Sequence, residues 1–305
     1  MKRNTGAVTI DHVAAAAKVS TATVSRALNR PDTVSTVLKD KIQNVIKKLG
    51  YIPNAGARSL MLKRSGTIGA IVPTLDNAIF AQGLAEFQKQ LNQAGYQLLV
   101  ASTNYDPVIE TNQINNLLAR GVEGIALFGT SQEREALKLL KTRSIPYIHV
   151  GSLNTPFNGY ASGYDNKEAI KLGVKHLLEK GHKHFGILTG ITNNNDRAKD
   201  RVAGALELLA EKKIRLKPEV IVECRYELQE ARLGLKKLLI SNPKITAIIC
   251  GQDVLALGAL LEAQNQGMKV PRDLSIVGFD DLEISRHLLP SLTTIHIDAI
   301  SMWAH

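Results

Sequence analysis

Apolar residues recur along this chain with two different periods, and the change from one to the other falls near residue 66. Before it the spacing is helical. Ile10, Val13, Ala14 and Ala17 stand at i, i+3, i+4 and i+7, the stripe of a short amphipathic helix. Thr9 is placed to cap it, and Asp11 lies where the helix dipole favours an acid. After a break at Lys18-Val19, Ser20 caps a second helix that turns Val24, Ala27 and Leu28 inward beside Val19. Its other side carries Thr21, Ala22, Ser25, Arg26 and Asn29, small or hydrogen-bonding side chains able to approach base edges, with Arg30 just beyond. A third helix begins after Ser35, lines up Ile42, Val45, Ile46 and Leu49, and ends at Gly50, a residue suited to a left-handed C-cap. Two short helices across a tight turn, followed by a third, describe a helix-turn-helix unit.

From Thr67 onward, short β-branched runs alternate with amphipathic helical stretches, the pattern of βαβ units on parallel sheets. Strands are predicted at 68–72, 96–102, 124–128 and 147–150, with helices at 80–94, 109–120 and 133–142. The theme restarts with a helix at 167–180. Strands at 184–188, 220–224, 247–250 and 274–278 follow, with helices at 201–212, 227–240 and 254–266 between them. The fold class expected is therefore an all-α three-helix headpiece joined by a hinge to a two-lobe α/β body with parallel sheets. Open α/β sheets bind ligands beyond the carboxyl ends of their strands. The segments in that position are Pro73 to Phe80, Gly190 to Arg201, Gln252-Asp253 and Phe279-Asp280-Asp281.

Charge sharpens the division. The chain of 305 residues carries a formal +10, and residues 1–64 hold twelve Lys/Arg against three acids, a net of +9. One fifth of the chain thus carries nearly all the charge, as expected of a polyanion-binding module fused to a neutral body; a solvated basic arm with no partner is the plainer alternative. Composition is that of a folded protein, 44% apolar and 22% charged. Cys224 and Cys250 form no CxxC pattern, which fits a reducing compartment. Neither an apolar leader nor a run long enough for a membrane span is present, so a cytoplasmic location is expected. No GxGxxG, GxxxxGK[ST] or GxSxG segment occurs. His176, His182 and His184 surround a helix end rather than sharing a face at i, i+4. Hence no catalytic residue, metal or cofactor is expected.

Several separated motifs agree in order and spacing with one known group. The run Val13 to Asn29 resembles the headpiece of lactose/galactose repressor-family transcription factors. Val34-Ser35, Leu49-Gly50-Tyr51-Ile52-Pro53-Asn54 and Ala57-Arg58-Ser59-Leu60 are similar to that family's third helix and hinge. Arg201-Val202-Ala203-Gly204 and Gly278-Phe279-Asp280-Asp281 resemble motifs of its effector domain. The resemblance implies a headpiece at 1–50, a hinge at 51–66 and a two-lobe, periplasmic-binding-protein-like domain at 67–305. It implies double-stranded operator DNA as partner, read in the major groove by Thr21, Ala22 and Arg26 and wedged in the minor groove by Leu60. The wider contact set is Thr9, Ser20, Thr23, Ser25, Asn29, Tyr51, Asn54, Ala57 and Arg58. It also implies a homodimer, with a tetramer left open, and a small-molecule effector gripped by Arg201 and Asp280 with Asn77, Phe80, Phe128, Tyr226 and Gln252 around it. A sugar or sugar derivative is the first expectation and a nucleobase the second.

Plainer roles stand beside these. Ala22 serves equally as a helix former, Arg26 as a phosphate clamp and Leu60 as a core residue. Asp280 can cap a turn, Arg201 can pair with Asp196 or Asp200, and Phe80 and Tyr226 can be ordinary buried aromatics. Two departures from the family are visible. Gln252 stands where many members have Asn, and the chain stops at His305 where members usually continue past the equivalent of Leu292–Ile295 with a helix and further strands, so a shortened first lobe and dimer contact are expected. A solute-binding or sugar-processing protein without specific DNA binding is the rival reading.

Gly56 sits inside the expected hinge helix, where glycine costs about 1 kcal/mol relative to alanine. A hinge that forms only on DNA should gain that amount from Gly56→Ala, tightening operator binding about fivefold for each hinge that folds, as read in a gel-shift titration. Equal affinity of the two proteins would contradict a hinge that folds on DNA.

Overall fold

A computed structural model describes residues 8–54, 56, 64–155 and 159–304, and the chain divides into two compact units, Met1–Gly66 and Thr67–His305. In the first unit α1 (Ile10–Ala17), α2 (Thr21–Asn29) and α3 (Thr36–Leu49) enclose a small core of Val13, Ala14, Ala17, Val24, Ala27 and Ile42. The alanines keep this core thin, so α1 and α2 lie close across a turn in which Lys18 takes a left-handed φ of 55°. The starts of α1 and α2 are satisfied locally. The Thr9 amide donates to His12 Nδ1 at 3.2 Å, and Ser20 Oγ accepts from the Thr23 amide at 3.1 Å. Gly50 ends α3 with φ of 64°, a conformation that costs glycine nothing.

The second unit has two lobes built alike. In the first, β1 (Thr67–Val72), β2 (Gln97–Ser102), β3 (Gly124–Phe128), β4 (Tyr147–Val150) and the short β5 (Ala161–Ser162) form a parallel sheet in the order β2-β1-β3-β4-β5. Helices α4 (Ala78–Gln93), α5 (Pro107–Ala119) and α6 (Arg134–Thr142) connect its strands. In the second lobe α7 (Asn166–Glu179), α8 (Asp196–Glu211), α9 (Leu228–Ser241) and α10 (Asp253–Asn265) alternate with β6 (Phe185–Gly190), β7 (Ile221–Cys224), β8 (Ala247–Cys250) and β9 (Ser275–Asp280). After α11 (Glu283–His287), β10 (Thr293–His296) completes a parallel sheet in the order β10-β9-β8-β6-β7. Strands β6 and β8 are buried along their whole length, which is why both read as unbroken apolar runs rather than alternating ones. No helix among the described residues is long and apolar enough to cross a membrane.

Most predicted elements occur within two residues of their predicted limits, with two physical exceptions. The helix expected at 201–212 begins at Asp196, because Asn195 caps it by accepting from the Ala198 amide at 3.4 Å. Its first turn is polar and so adds nothing to a hydrophobic period. Arg201 therefore stands on a helix rather than in a loop. The segment after Gly278 carries α11, β10 and α12 (Ala299–Ala304), all too short to show a period of their own. Helix α12 returns to the first lobe and buries Met302 and Trp303 beside Phe80, Leu84 and Val150. The indole lies 5.4 Å from the Phe87 ring and 6.2 Å from that of Phe128, and it occupies the place where a side chain on Gly83 would stand. Truncating this residue empties a large cavity. Trp303→Ala should lower unfolding stability by about 3–5 kcal/mol in a urea titration, and a loss under about 1 kcal/mol would mean that α12 is not anchored through its indole.

Candidate functional site

In the first unit, Thr21, Ala22 and Arg26 are exposed together on α2. Their neighbours are already engaged. Asn29 Nδ2 donates to Ser25 Oγ at 3.3 Å, and the Ser20 and Thr23 hydroxyls meet at 2.9 Å within the cap. Thr9 is exposed, Tyr51 leans half-buried on the helical core, and Asn54 accepts from the Gly56 amide at 2.9 Å. Ala57, Arg58 and Leu60 lie outside the described residues. The face of α2 thus offers a short row of small, hydrogen-bonding and cationic groups, the shape and chemistry that fit a major groove.

In the second unit, strand ends from both sheets face one cleft. Arg201, 5% exposed, is held by three uncharged acceptors: Nε donates to Asn166 Oδ1 at 2.9 Å, Nη1 to the Gly251 carbonyl at 2.6 Å and Nη2 to the Tyr164 hydroxyl at 2.9 Å. Its guanidinium lies 3.7 Å from the centre of the Phe279 ring. Asp196 pairs instead with Arg197, at 2.7 Å. Asp280 ends β9 with φ of 116°, and its Oδ2 is buried with no hydrogen-bond partner among the described residues. Burial pushes its carboxyl up from 3.8 to about 7, against the pull of Arg201. The local turn is held by the next residue, Asp281, which takes Arg286 Nη2 at 2.7 Å and His296 Nδ1 at 3.0 Å. Beneath them Asp253 accepts from the Leu282 amide at 2.8 Å and from Ser285 Oγ at 2.6 Å, fixing the corner after β9.

Phe80, Phe128, Tyr226, Gln252 and Asp280 line the same cavity as Arg201. Asn77 reaches it indirectly, donating from Nδ2 to Gln252 Oε1 at 2.9 Å across the lobes. Phe80 and Phe128 meet edge to face with centroids 4.7 Å apart. The open space between these side chains is ≈ 20 Å³, about the size of one water molecule, so a larger ligand enters by parting the lobes or turning the aromatic side chains.

Sequence reasoning missed Tyr105, Tyr164, Asn195 and Arg197, which add the remaining polar groups of the lining beside the apolar Ile79, Ile297 and Met302. Tyr105 follows β2, a strand end that the same rule would have inspected, and its ring lies 5.9 Å from that of Tyr226. Arg197 became visible only with the true start of α8, which sets it one turn before Arg201 on the same face. Its guanidinium lies 4.6 Å from the Phe128 ring centre and fills the space beside Gly129, whose φ of 81° and missing side chain permit the approach. Asp196 accepts from the Thr130 amide at 3.1 Å and from the Thr130 and Ser131 hydroxyls at 2.9 and 3.3 Å. Burial works to raise the Asp196 carboxyl, but Arg197 and these donors outweigh it and hold it below the usual range. Two histidines serve structure. His149 Nδ1 bonds the Gly129 carbonyl at 2.9 Å, and His182 bridges the hydroxyls of Thr246 and Ser275 at 2.9 and 3.0 Å.

Comparison with known proteins follows the same division. Residues 9–54 match the model of bacterial regulatory proteins, lacI family, and residues 65–300 match that of periplasmic binding proteins and sugar binding domain of LacI family. The ribose operon repressor of Haemophilus influenzae (strain ATCC 51907 / DSM 11121 / KW20 / Rd) is 33% identical over 288 residues, covering 94% of this chain and 86% of that protein. The HTH-type transcriptional repressor PurR of Haemophilus influenzae (strain PittEE) is 33% identical over 295 residues, covering 94% and 85%. Among solved structures, the lac repressor dimer bound to operator and the anti-inducer ONPF superposes with a TM-score of 0.85 at 27% identity, over 98% of this chain and 90% of that one.

The Asp280 carboxyl gives a pH test. Folded, it takes up a proton near pH 7, whereas unfolded it does so near 3.8. Between these values the folded state binds more protons, so this group costs stability increasingly as pH rises, with the full penalty above about 7. Asp280→Asn should therefore melt higher than the parent at pH 8, and the gap should narrow as the pH falls, closing only near 3.8. A gap independent of pH would show that this carboxyl is not the group titrating.

Proposed function

Because the chain belongs to the lacI family of bacterial regulatory proteins, we propose that it is a cytoplasmic repressor that binds a near-palindromic operator as a homodimer and answers to a polyhydroxylated small molecule held between its lobes. The observation that carries the reading is the union in one chain of two features. One is a +9 head exposing Thr21, Ala22 and Arg26 together; the other is a cleft in which Arg201 of α8 and Asp280 at the end of β9 are buried side by side. One head covers half a site, so two heads related by a two-fold axis suit a palindrome.

Arg201 offers a planar fork of donors and Asp280 an acceptor, the complement of neighbouring hydroxyls, while Phe80, Phe128, Tyr105 and Tyr226 supply apolar faces for a ring. Gln252, bonded to Asn77, joins the two lobes at the floor of the cleft. A ligand binding here alters operator affinity only if it prefers one lobe arrangement over another. The contacts that such a ligand competes with or reinforces are Asn77 with Gln252, Asp196 with Thr130 and Ser131, and Arg197 with Phe128.

Full-length protein should retard its own upstream DNA in preference to scrambled competitor, with affinity falling as salt is raised. Arg26→Ala should weaken that binding by about 1–3 kcal/mol and relax preference at one position if Arg26 reads a base, or weaken all sequences alike if it clamps a phosphate. A thermal-shift screen of sugars and nucleobases should find stabilising compounds whose effect is lost in Arg201→Ala and Asp280→Ala. Absence of any promoter preference would favour the rival solute-binding reading, and undiminished stabilisation in both variants would move the effector site elsewhere.

A further inference from the structure

We propose that the effector of this cleft is an anion, a polyhydroxylated small molecule bearing a carboxylate or a phosphate, and that Arg197 is the residue that recognises the charged group. The proposal rests on the effector-binding reading above and adds the charge class of the ligand and the side chain that selects it.

The first support is the charge around the cavity. Two guanidiniums, Arg197 and Arg201, line it against a single carboxylate, Asp280. Asp196 is not part of the lining, and its oxygens are taken up by Arg197 Nη1 and by the donors of Thr130 and Ser131. Arg201 is the cation that pulls on Asp280, whereas Arg197 has Asp196 as its ion-pair partner behind the lining and turns its remaining N–H groups elsewhere. Arg197 instead stands with Tyr105, Phe128 and Asn195, and α8, sixteen residues long, turns the positive end of its dipole to the same place.

The second support is independent of charge and comes from the hydrogen-bonding capacity that the protein leaves over. The Tyr164 hydroxyl accepts from Arg201 Nη2 at 2.9 Å and that of Tyr226 accepts from Asn195 Nδ2 at 3.2 Å, so each retains its O–H to donate. Arg197, only 6% exposed, gives Nη1 to Asp196; its Nε and Nη2 have no acceptor among the described residues. Two tyrosine protons and one largely unanswered guanidinium make a wall of donors. A neutral sugar hydroxyl brings a proton of its own to each such contact, whereas a carboxylate or phosphate presents acceptors only and forms the stronger charge-assisted bonds. Asp280, with its unpartnered Oδ2, remains for the hydroxyls of the same molecule.

Matched pairs of probes test this by calorimetry on the full-length protein: D-glucose against D-gluconate and D-glucose 6-phosphate, and D-ribose against D-ribose 5-phosphate, with hypoxanthine as an uncharged ring. The charged member of at least one pair should bind about tenfold or more tightly than its neutral partner, and its affinity alone should fall with added salt. Gluconate and the phosphates separate a carboxylate from a phosphate ligand. In Arg197→Gln the preference within the pair should shrink to about twofold or less, and Arg197→Lys should restore part of it. If Arg197 only braces the lobes through Phe128 and Asp196, Arg197→Gln weakens both members equally, and the proposal is overturned. Neutral sugars or hypoxanthine binding at least as well as the charged probes overturn it while leaving the effector reading intact. No binding by any probe, charged or neutral, counts against both. Should Arg197→Gln fail to fold, the salt dependence of the parent protein and the Arg197→Lys ratio decide the matter alone.

Discussion

A guanidinium held out of water by uncharged neighbours is the constraint around which the second unit is arranged. Removing a cation from water costs several kcal/mol unless other groups replace the lost hydration. Arg201 is compensated by Asn166 from the start of α7, by the carbonyl that ends β8 and by Tyr164, while Phe279 of β9 supplies a face for its plane. These partners come from three segments, the stretch 164–166 that enters α7, the residue after β8 and β9, so the arginine can be satisfied only once that sheet and its helices are assembled. The neighbouring Asp280 is compensated less well, with one oxygen unpartnered and a carboxyl that holds its proton to about pH 7. In the effector site proposed above, a ligand hydroxyl would supply the partner that this oxygen lacks.

The joint between the lobes has a different character. It is made of a few polar contacts at loop ends, with Asp196 reaching Thr130 and Ser131, Asn77 reaching Gln252, and Arg197 lying on Phe128. Each lobe keeps most of its apolar core to itself, but α12 carries Met302 and Trp303 into the first, and Leu282 and Val254 of the second lobe pack against the same cluster. A change of angle between the lobes therefore works against this small apolar contact as well as the polar ones. Gln252, Arg197 and Phe128 both line the cleft and take part in the joint.

The head works on a smaller scale. Its six fully buried residues include three alanines, and the close helix approach that these permit is what presses the exposed side of α2 outward as a narrow ridge. Its hydroxyls at Ser20 and Thr23 hold the start of that helix, leaving Thr21, Ala22 and Arg26 as the free chemistry of the ridge.

Much of this was legible in the residues alone, wherever the signal was local. The helical stripe at Ile10 to Ala17, the caps at Thr9 and Ser20, the stop at Gly50 and the apolar runs of β6 and β8 depend on near neighbours, and they were read close to their true limits. So were the concentration of net charge in the first 64 residues and the placing of Gln252 and Asp280 beside strand ends, whereas Arg201, expected in the same position, stands on α8. Tertiary structure alone decided the rest. The pairing of Asp196 with Arg197 rather than Arg201, the arrival of Tyr105 from the other lobe, the return of α12 onto α4 and the unpartnered oxygen of Asp280 depend on groups brought together from far along the chain. Periodicity reports which face of an element is buried; it carries no record of what lies opposite, and hydrogen bonding and desolvation are settled by what lies opposite.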